Sequence, residues 1–338
     1  MLALFYIFIG VAIGVSVWQI TRIMDFRGSI ANDKDNAAHG KYAIVFLAFL
    51  YAMMIYCLIF LNVIMLPESA SIEGEHDDRL FNITFWLIGV VQFLMQFLIF
   101  YFTFKYRGSK DRKAKFYADS HKLEFIWTVT PAIVLVGLVG YGLWQWNNVM
   151  DLSNEDDAIV IEVYAQQFNW KARYAGVDNT LGYGNVNFIK GINTMGVDMR
   201  DKNSVDDKQV TELYLPKGRK IHFKFRSQDV LHSAYMPHFR AQMNCVPGMV
   251  TEFGFTPKYT TEEMREQPEV IAKSIGINKI RRARGDDPYI FNYLLLCNKI
   301  CGASHYNMQF KITVVEQDEY DNWLSEQPTL TEVISKYK

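Results

Sequence analysis

Cysteine is scarce in this chain, with four residues among 338. That excludes a disulfide-rich scaffold. No Cys-x-x-Cys-His occurs in the sequence, so no fused c-type cytochrome domain is expected. Charge of one sign is not in excess either. Lys and Arg number 35 against 36 Asp and Glu, so nothing points to wholesale binding of nucleic acid. Internal repeats and low-complexity tracts are missing, which excludes repeat architectures. Most telling is the lack of charge in four long stretches of the first 150 residues.

Those stretches are the apolar runs 2–20, 42–66, 84–104 and 125–148. Each approaches the ~20 residues that a bilayer-spanning helix needs. Four uncharged runs so close together read as membrane spans rather than buried core helices. The first lacks a basic n-region and an A-x-A-like cleavage site, so it is expected to be retained as a span. Loop charges orient the helices. The loop 105–122 carries Lys105, Arg107, Lys110, Arg112, Lys113, Lys115 and Lys122, and the loop 21–41 is also basic. Between them, the loop 67–83 has Arg79 against Glu68, Glu73, Glu75, Asp77 and Asp78. Basic loops stay in the cytoplasm, which predicts that the N-terminus and everything after residue 150 lie outside.

From residue 158 onward the pattern changes to short alternating segments: AIVIEVYAQQ, KIHFKFRS, VTEFGF, IFNYLLL and QFKITVV. Their β-rich composition and length predict an antiparallel sandwich or barrel. The expected fold is therefore α + β, a membrane region 1–150 followed by an outer β domain 151–338. Two segments fit the strand rhythm poorly and read as insertions. One, 176–208, is rich in Gly, Asn and Asp. The other, 257–288, contains a short helix in TTEEMREQPEVIAKSI and a basic patch, KIRRARGDD. A terminal helix is expected in EQDEYDNWLSEQ.

Two of the four cysteines fall within twelve residues, as Cys297-x3-Cys301-x3-His305-x2-Met308. A disulfide would leave His305 and Met308 unexplained. Zinc takes Cys, His and carboxylates, and Met serves it poorly. Thiolate, imidazole and thioether together favour copper, and two thiolates could each bridge a pair of copper ions. Such a centre needs a second histidine. A lone histidine at a strand end is more often structural, but His232 in SQDVLHSAYMP is a good candidate once paired with the C-terminal cluster. His39, His76 and His121 fall in membrane loops, His222 is mid-strand, and His238 follows a proline.

Three separated stretches, HKLEFIWTVTPAIVL, SQDVLHSAYMP…VPG and CNKICGASHYNM, resemble in order and spacing those of subunit II of the haem–copper cytochrome oxidases. The similarity runs from about residue 84 to the C-terminus. Members of that family usually have two transmembrane helices, here 84–104 and 125–148, so the runs 2–20 and 42–66 make four and are extra. The resemblance implies that a cupredoxin-like Greek-key barrel follows, holding the dinuclear copper centre CuA. Its ligands would be His232, Cys297, Cys301, His305, Met308 and the backbone carbonyl of Lys299. Both thiolates would bridge, each imidazole would cap one ion, and Met308 and the carbonyl would bind weakly.

The resemblance further implies a role in a proton-pumping oxidase that reduces O2 to water. The chain would take electrons from a cytochrome c and pass them to haem a in subunit I. Subunits I and III would be neighbours, and a quinol-oxidising complex could share a larger assembly. The setting would be a bacterial cytoplasmic membrane, with the copper domain on the periplasmic side. Glu124, three residues before Trp127, matches the family's LExxW position at the mouth of a proton channel of subunit I. Where the family has Trp-aromatic-Trp at its electron-accepting surface, this chain has Phe168, Asn169 and Trp170. Finally, Lys299 replaces a Glu whose side chain helps to hold magnesium at the subunit I boundary. An ammonium offers no lone pair and repels Mg²⁺, so that site is expected to be empty or rebuilt. Cys57 and Cys245 read as structural.

Overall fold

A computed structural model describes residues 2–25, 32–60, 67–150 and 157–336. Four helices come first: α1 (Leu2–Asp25), α2 (Asp33–Phe60), α3 (Ile72–Lys105) and α4 (His121–Met150). Among the described residues, α2, α3 and α4 are long and apolar enough to cross a membrane, and α1 contributes a shorter apolar stretch, Ile9–Thr21. The expected run 42–66 ends in six residues, 61–66, that lie outside the described ones. Large apolar side chains such as Ile133, Val136 and Trp86 face outward. This is how a helix looks when its solvent is hydrocarbon and its backbone bonds to itself.

Helices α2, α3 and α4 begin before the apolar runs that announced them, α2 and α3 by nine and twelve residues. Hydropathy marks only what must sit in hydrocarbon, whereas the backbone ladder continues into the polar interface. Asp33 and Asp35 in the first turn of α2, and Glu73 and Glu75 in that of α3, complement the positive helix N-terminus. His39, His76 and His121, expected in loops, therefore lie in α2, α3 and α4.

Contacts divide the chain into two compact units, Met1–Ile59 with Ile88–Glu124 and Phe60–Leu87 with Phe125–Lys338. In the first, Asp33 accepts from the Lys110 backbone N–H at 3.1 Å, and the Tyr51 hydroxyl donates to the Phe93 carbonyl at 2.5 Å.

Among the described residues the second unit contains ten strands. One sheet has the order β3 (Lys208–Val210), β2 (Asn169–Tyr174), β1 (Ile159–Gln166), β5 (Ile221–Ser227), β8 (Thr251–Phe255). The other runs β4 (Leu213–Pro216), β10 (Gln309–Val315), β9 (Tyr293–Cys297), β6 (His232–Met236), β7 (Ala241–Cys245). Pairing is antiparallel except for β1 with β5 and β4 with β10. Residues of both sheets, among them Ile161, Phe223, Leu295 and Ile312, share one buried core. Alternation along each strand sends one set of side chains inward.

The acidic stretch before and within the start of α3 is tied to this β domain. Glu73 pairs with Lys220 at 2.9 Å, Asp78 with Arg240 at 2.8 Å, and Glu75 with Lys258. Ser71 and Pro257 form a β-bridge.

Four further helices follow: α5 (Thr261–Arg265), α6 (Pro268–Arg284), α7 (Gln317–Glu326) and α8 (Leu330–Ser335). The single short helix expected in the second insertion is in fact two. Pro268 has no N–H to continue α5 and instead starts α6 at a position where none is needed. The basic patch is not a separate loop, because α6 runs through it to Arg284 and ends at Gly285 with φ +76°. Segment 176–208 holds two single 3-10 turns and is fastened by a buried charge cluster. Arg173 contacts Glu162 at 2.8 Å, Asp207 at 2.6 Å and the Gly182 carbonyl at 3.0 Å. Arg226 pairs with Glu162 and donates to the Met195 carbonyl at 2.8 Å.

Candidate metal centre

Two neighbouring strands and the turn beyond one of them build the site. His232 is the first residue of β6 and lies opposite Cys245 of β7, while Ala234, two residues on, lies opposite Cys297 at the end of β9. The chain then makes a tight loop before β10. The Asn298 N–H donates to the Ser233 carbonyl at 3.0 Å, and the Cys297 N–H donates to the Met308 carbonyl at 3.1 Å. A 3-10 turn over His305–Asn307 closes the loop. These backbone bonds fix where each side chain points.

The result is a cluster of soft donors. Cys297 and Cys301 are free thiols with sulfurs 3.8 Å apart, far beyond the ~2.05 Å of a disulfide. Each sulfur has its own imidazole. His232 Nδ1 is 3.7 Å from Cys297 Sγ, and His305 Nδ1 is 3.6 Å from Cys301 Sγ. Met308 Sδ lies 3.8 Å from Cys301 Sγ, and the Lys299 carbonyl 3.2 Å from Cys297 Sγ. His232 is fully buried, Cys297, Cys301 and Met308 nearly so. Burial, then the hydrogen bond and charge of Cys297, push the Cys301 thiol up to about 11.

Six donors exceed the four of a closed zinc site. Two thiols that each carry a separate imidazole, with thioether and carbonyl at the margins, suit two soft ions better than one. The donor set thus fits the dinuclear copper that the sequence implied.

The neighbours that orient these donors were not singled out from sequence. His232 Nε2 is 2.8 Å from Asp229 Oδ1, so the ring N–H donates there and Nδ1 keeps its lone pair for a metal. Burial raises the Asp229 carboxyl, but donation from the Gln167 N–H, His232 and the Val230 N–H outweighs it and leaves the group below its usual range. The Gln167 side chain donates to the Cys301 carbonyl at 2.5 Å. The only hint in sequence was the acid three residues before the histidine, in QDVLH.

The remaining expected residues fall in different settings. Trp170 is buried rather than at the surface. Its indole N–H donates to the Met308 carbonyl at 3.4 Å, and its ring lies 6.2 Å from that of His232. Phe168 is partly exposed, and its ring covers Gly302. A Cβ there would come within 2.8 Å of Phe168 Cζ, and φ is +143°, so only glycine is accommodated. Lys299 is exposed in this chain. Glu124, in the first turn of α4, is half-exposed with His121 Nδ1 at 3.5 Å, and it belongs to the other compact unit. Cys57 is exposed on α2, and Cys245 is buried.

Comparison with known proteins converges on one family. The profile described as "Cytochrome C oxidase subunit II, transmembrane domain" matches residues 60–143. The alternative cytochrome c oxidase subunit 2 of Bradyrhizobium diazoefficiens is 32% identical over 258 residues, covering 76% of this chain and 81% of that relative. Cytochrome c oxidase subunit 2 of Alkalihalophilus pseudofirmus is 25% identical over 276 residues, covering 78% and 64%. Among solved structures, the periplasmic domain of subunit II of cytochrome oxidase of Bradyrhizobium japonicum aligns with a TM-score of 0.31 at 20% identity, over 50% of this chain and 92% of that one.

Proposed function

The chain belongs to the cytochrome c oxidase subunit II family, and from that premise we propose that it is the electron-accepting subunit of a proton-pumping oxidase. It takes electrons from a cytochrome c at a CuA centre and delivers them to haem a of subunit I, for reduction of O2 to water. The observation that carries this reading is the convergence of two thiols, each beside its own imidazole, with Met308 and the Lys299 carbonyl.

His232, Cys297, Lys299 through its carbonyl, Cys301, His305 and Met308 would hold the metal. Bound there, a dinuclear copper pair would supply one-electron storage with little rearrangement of its ligands. The protein's own contribution is rigidity. Asp229 holds the His232 ring in one tautomer, Gln167 ties down the Cys301 carbonyl, and the Trp170 indole N–H restrains the Met308 carbonyl. The surrounding core of Leu295, Ala234 and Phe310 keeps water from the sulfurs.

The same reading makes α1–α4 four spans of a bacterial cytoplasmic membrane. It assigns residues 1–150 to that region and 151–338 to a periplasmic cupredoxin-like Greek-key barrel. Phe168, partly exposed over Gly302, belongs to the surface that meets the donor, with Trp170 behind it. Glu124 serves as the mouth of a proton channel in subunit I. Lys299 leaves the magnesium site of the subunit I boundary empty or rebuilt.

Residues 151–338 contain 23 Lys and Arg against 25 Asp and Glu. Such balance steers a basic donor weakly, which favours a donor held in a stable assembly. Visible and electron paramagnetic resonance spectra of the copper-loaded chain test the function directly. A purple, mixed-valence species with two coppers is expected, and a colourless protein holding one zinc would overturn it.

A further inference from the structure

The N-terminal end of α3 carries a stripe that the copper site does not use. Glu75, Asp78, Arg79, Asn82, Ile83 and Trp86 are spaced three or four residues apart along one face of the helix and line an open cleft of 670 Å³. That volume falls in the range of small-molecule sites. Glu68, just before the helix, completes the rim. The face is graded, with carboxylates first, then a guanidinium, an amide, and finally isoleucine and indole. At 1.5 Å of rise per residue, Arg79 sits ~6 Å beyond Glu75 and Trp86 ~10 Å beyond Arg79.

Charge accounting shows which groups are free to bind. Asp78 spends both oxygens on Arg240, at 2.8 and 2.9 Å. Glu75 gives one oxygen to Lys258 and keeps the other. Glu68 is two-thirds exposed, 66%, with only a 3.6 Å approach to Lys258. Arg79 is exposed and has no hydrogen bond or ion pair among the described residues. Ile83 and Trp86, both exposed, stand where α3 turns fully apolar, the level at which a bilayer changes from headgroup to hydrocarbon.

We propose that this cleft binds one aminophospholipid, an ethanolamine headgroup on a diacylglycerol. Its phosphodiester lies on Arg79, its ammonium on Glu68 and the free oxygen of Glu75, its glycerol esters on Asn82, and an acyl chain along Ile83 and Trp86. The order of chemistry down the helix is the order of groups down such a lipid. Phosphatidylglycerol would satisfy Arg79 through the same phosphodiester but would offer Glu68 and Glu75 only neutral hydroxyls, and Lys258 offsets the charge of those two carboxylates only in part, so the ammonium of the zwitterion is the better match.

Native mass spectrometry of the full chain in detergent, titrated with phosphatidylethanolamine or phosphatidylglycerol, tests this. One phosphatidylethanolamine is expected to survive activation that strips phosphatidylglycerol. Arg79→Gln should lower its retention at least ten-fold with the thermal midpoint unchanged, because Arg79 bonds no other described residue. Glu68→Gln should erase the preference between the two lipids without abolishing binding. Equal retention by Arg79→Gln, or equal affinity for both lipids in the unaltered chain, overturns the proposal. So does a photoreactive residue at Asn82 that, in membranes containing the whole oxidase, crosslinks to another protein instead of to lipid.

Discussion

The β domain buries two polar clusters, and they are built on opposite terms. In one, Glu162 and Asp207 face Arg173 and Arg226, two charges of each sign, and nearly every donor finds an acceptor inside the protein. In the other, Cys297, Cys301, His232, His305 and Met308 turn toward one another with atoms that prefer to donate electron pairs, and among the described residues no cationic side chain pairs with them. The first cluster leaves only Asp207 Oδ1 without a partner among its described carboxylate oxygens and serves the fold, because it fastens residues 176–208 to the sheet. The second is complete only with something added. A buried polar group costs free energy unless it is partnered. A cluster of lone-pair donors facing one another therefore marks a binding site, whereas a charge-balanced one marks a joint.

Substitution can test that division. The largest effect is expected for Cys301→Ser, which should abolish the purple chromophore and the second copper while the thermal midpoint of the metal-free chain stays nearly constant. Retention of two coppers would disprove the ligand set. Next comes Arg173→Met. Removing one partner of a buried pair leaves the others uncompensated, at a cost of about 3–5 kcal/mol. Denaturant titration should show that loss, while protein that remains folded keeps its copper spectrum. A chromophore that vanished before the fold did would mean that the two clusters are not separate.

Asp229→Asn sits between these extremes. It keeps the shape but weakens the hold on the His232 ring, so copper retention should fall roughly 10–100-fold with little change in stability. A chelator competition series would measure it.

A smaller effect is expected from His238. Burial, with Lys273 and Arg240 adding to it, pushes its pKa down to about 4, against ~6.5 in an unfolded chain. The folded state thus holds the ring neutral. Stability from this group is fully present above pH ~6.5 and is lost as pH falls toward 4, since the unfolded chain binds the proton first. The ring packs against Phe291 and Tyr293 at 5.0 and 5.8 Å, so His238→Phe should flatten the acid limb of the stability curve. The difference is about 2 kcal/mol between pH 7 and 5. An unaltered limb would assign acid sensitivity elsewhere.

Smallest of all is the expected result for Lys299, a null. Cells grown on manganese should yield an oxidase without a stoichiometric Mn²⁺ resonance at the subunit boundary, and such a signal beside Lys299 would refute the reading.

The two clusters also differ in how far they could be read from sequence. Cys297, Cys301, His305 and Met308 were legible because one loop supplies all four, and spacing alone brings their donors together. His232 needed a partner argument, since a strand-end histidine is ordinary by itself. The charge cluster was not legible. Glu162, Arg173, Asp207 and Arg226 come from distant segments, and a charged residue within a strand usually belongs to the solvated face. The register of β1 with β2 sets Glu162 directly opposite Arg173, and pairing of that kind is invisible before the sheet is known. The five segments read from alternation match β1, β5, β8, β9 and β10, although β9 starts at Tyr293 rather than Ile290, and the short strands β2, β3, β4 and β7 were not anticipated. Helix α8 was announced only by a short capping box, Thr329 with Glu332, in a segment too polar to stand out. The early starts of α2 and α3 were missed because hydropathy reports the solvent around a helix, not its length.

The bonds between the start of α3 and the β domain have a mechanical consequence. A domain joined to its stalk by one peptide link can swivel about that link. Here Lys220, Arg240 and Lys258 each grip a different carboxylate of α3, and the Ser71–Pro257 bridge adds a fourth grip. Pivoting about any one of them strains the other three. The β domain and the top of α3 therefore behave as a single bracket, and the height of the thiol pair above that helix is set by geometry rather than averaged over a swing. Under the proposed electron-carrying function, in which handover falls off steeply with distance, a fixed bracket would convert a distribution of rates into one.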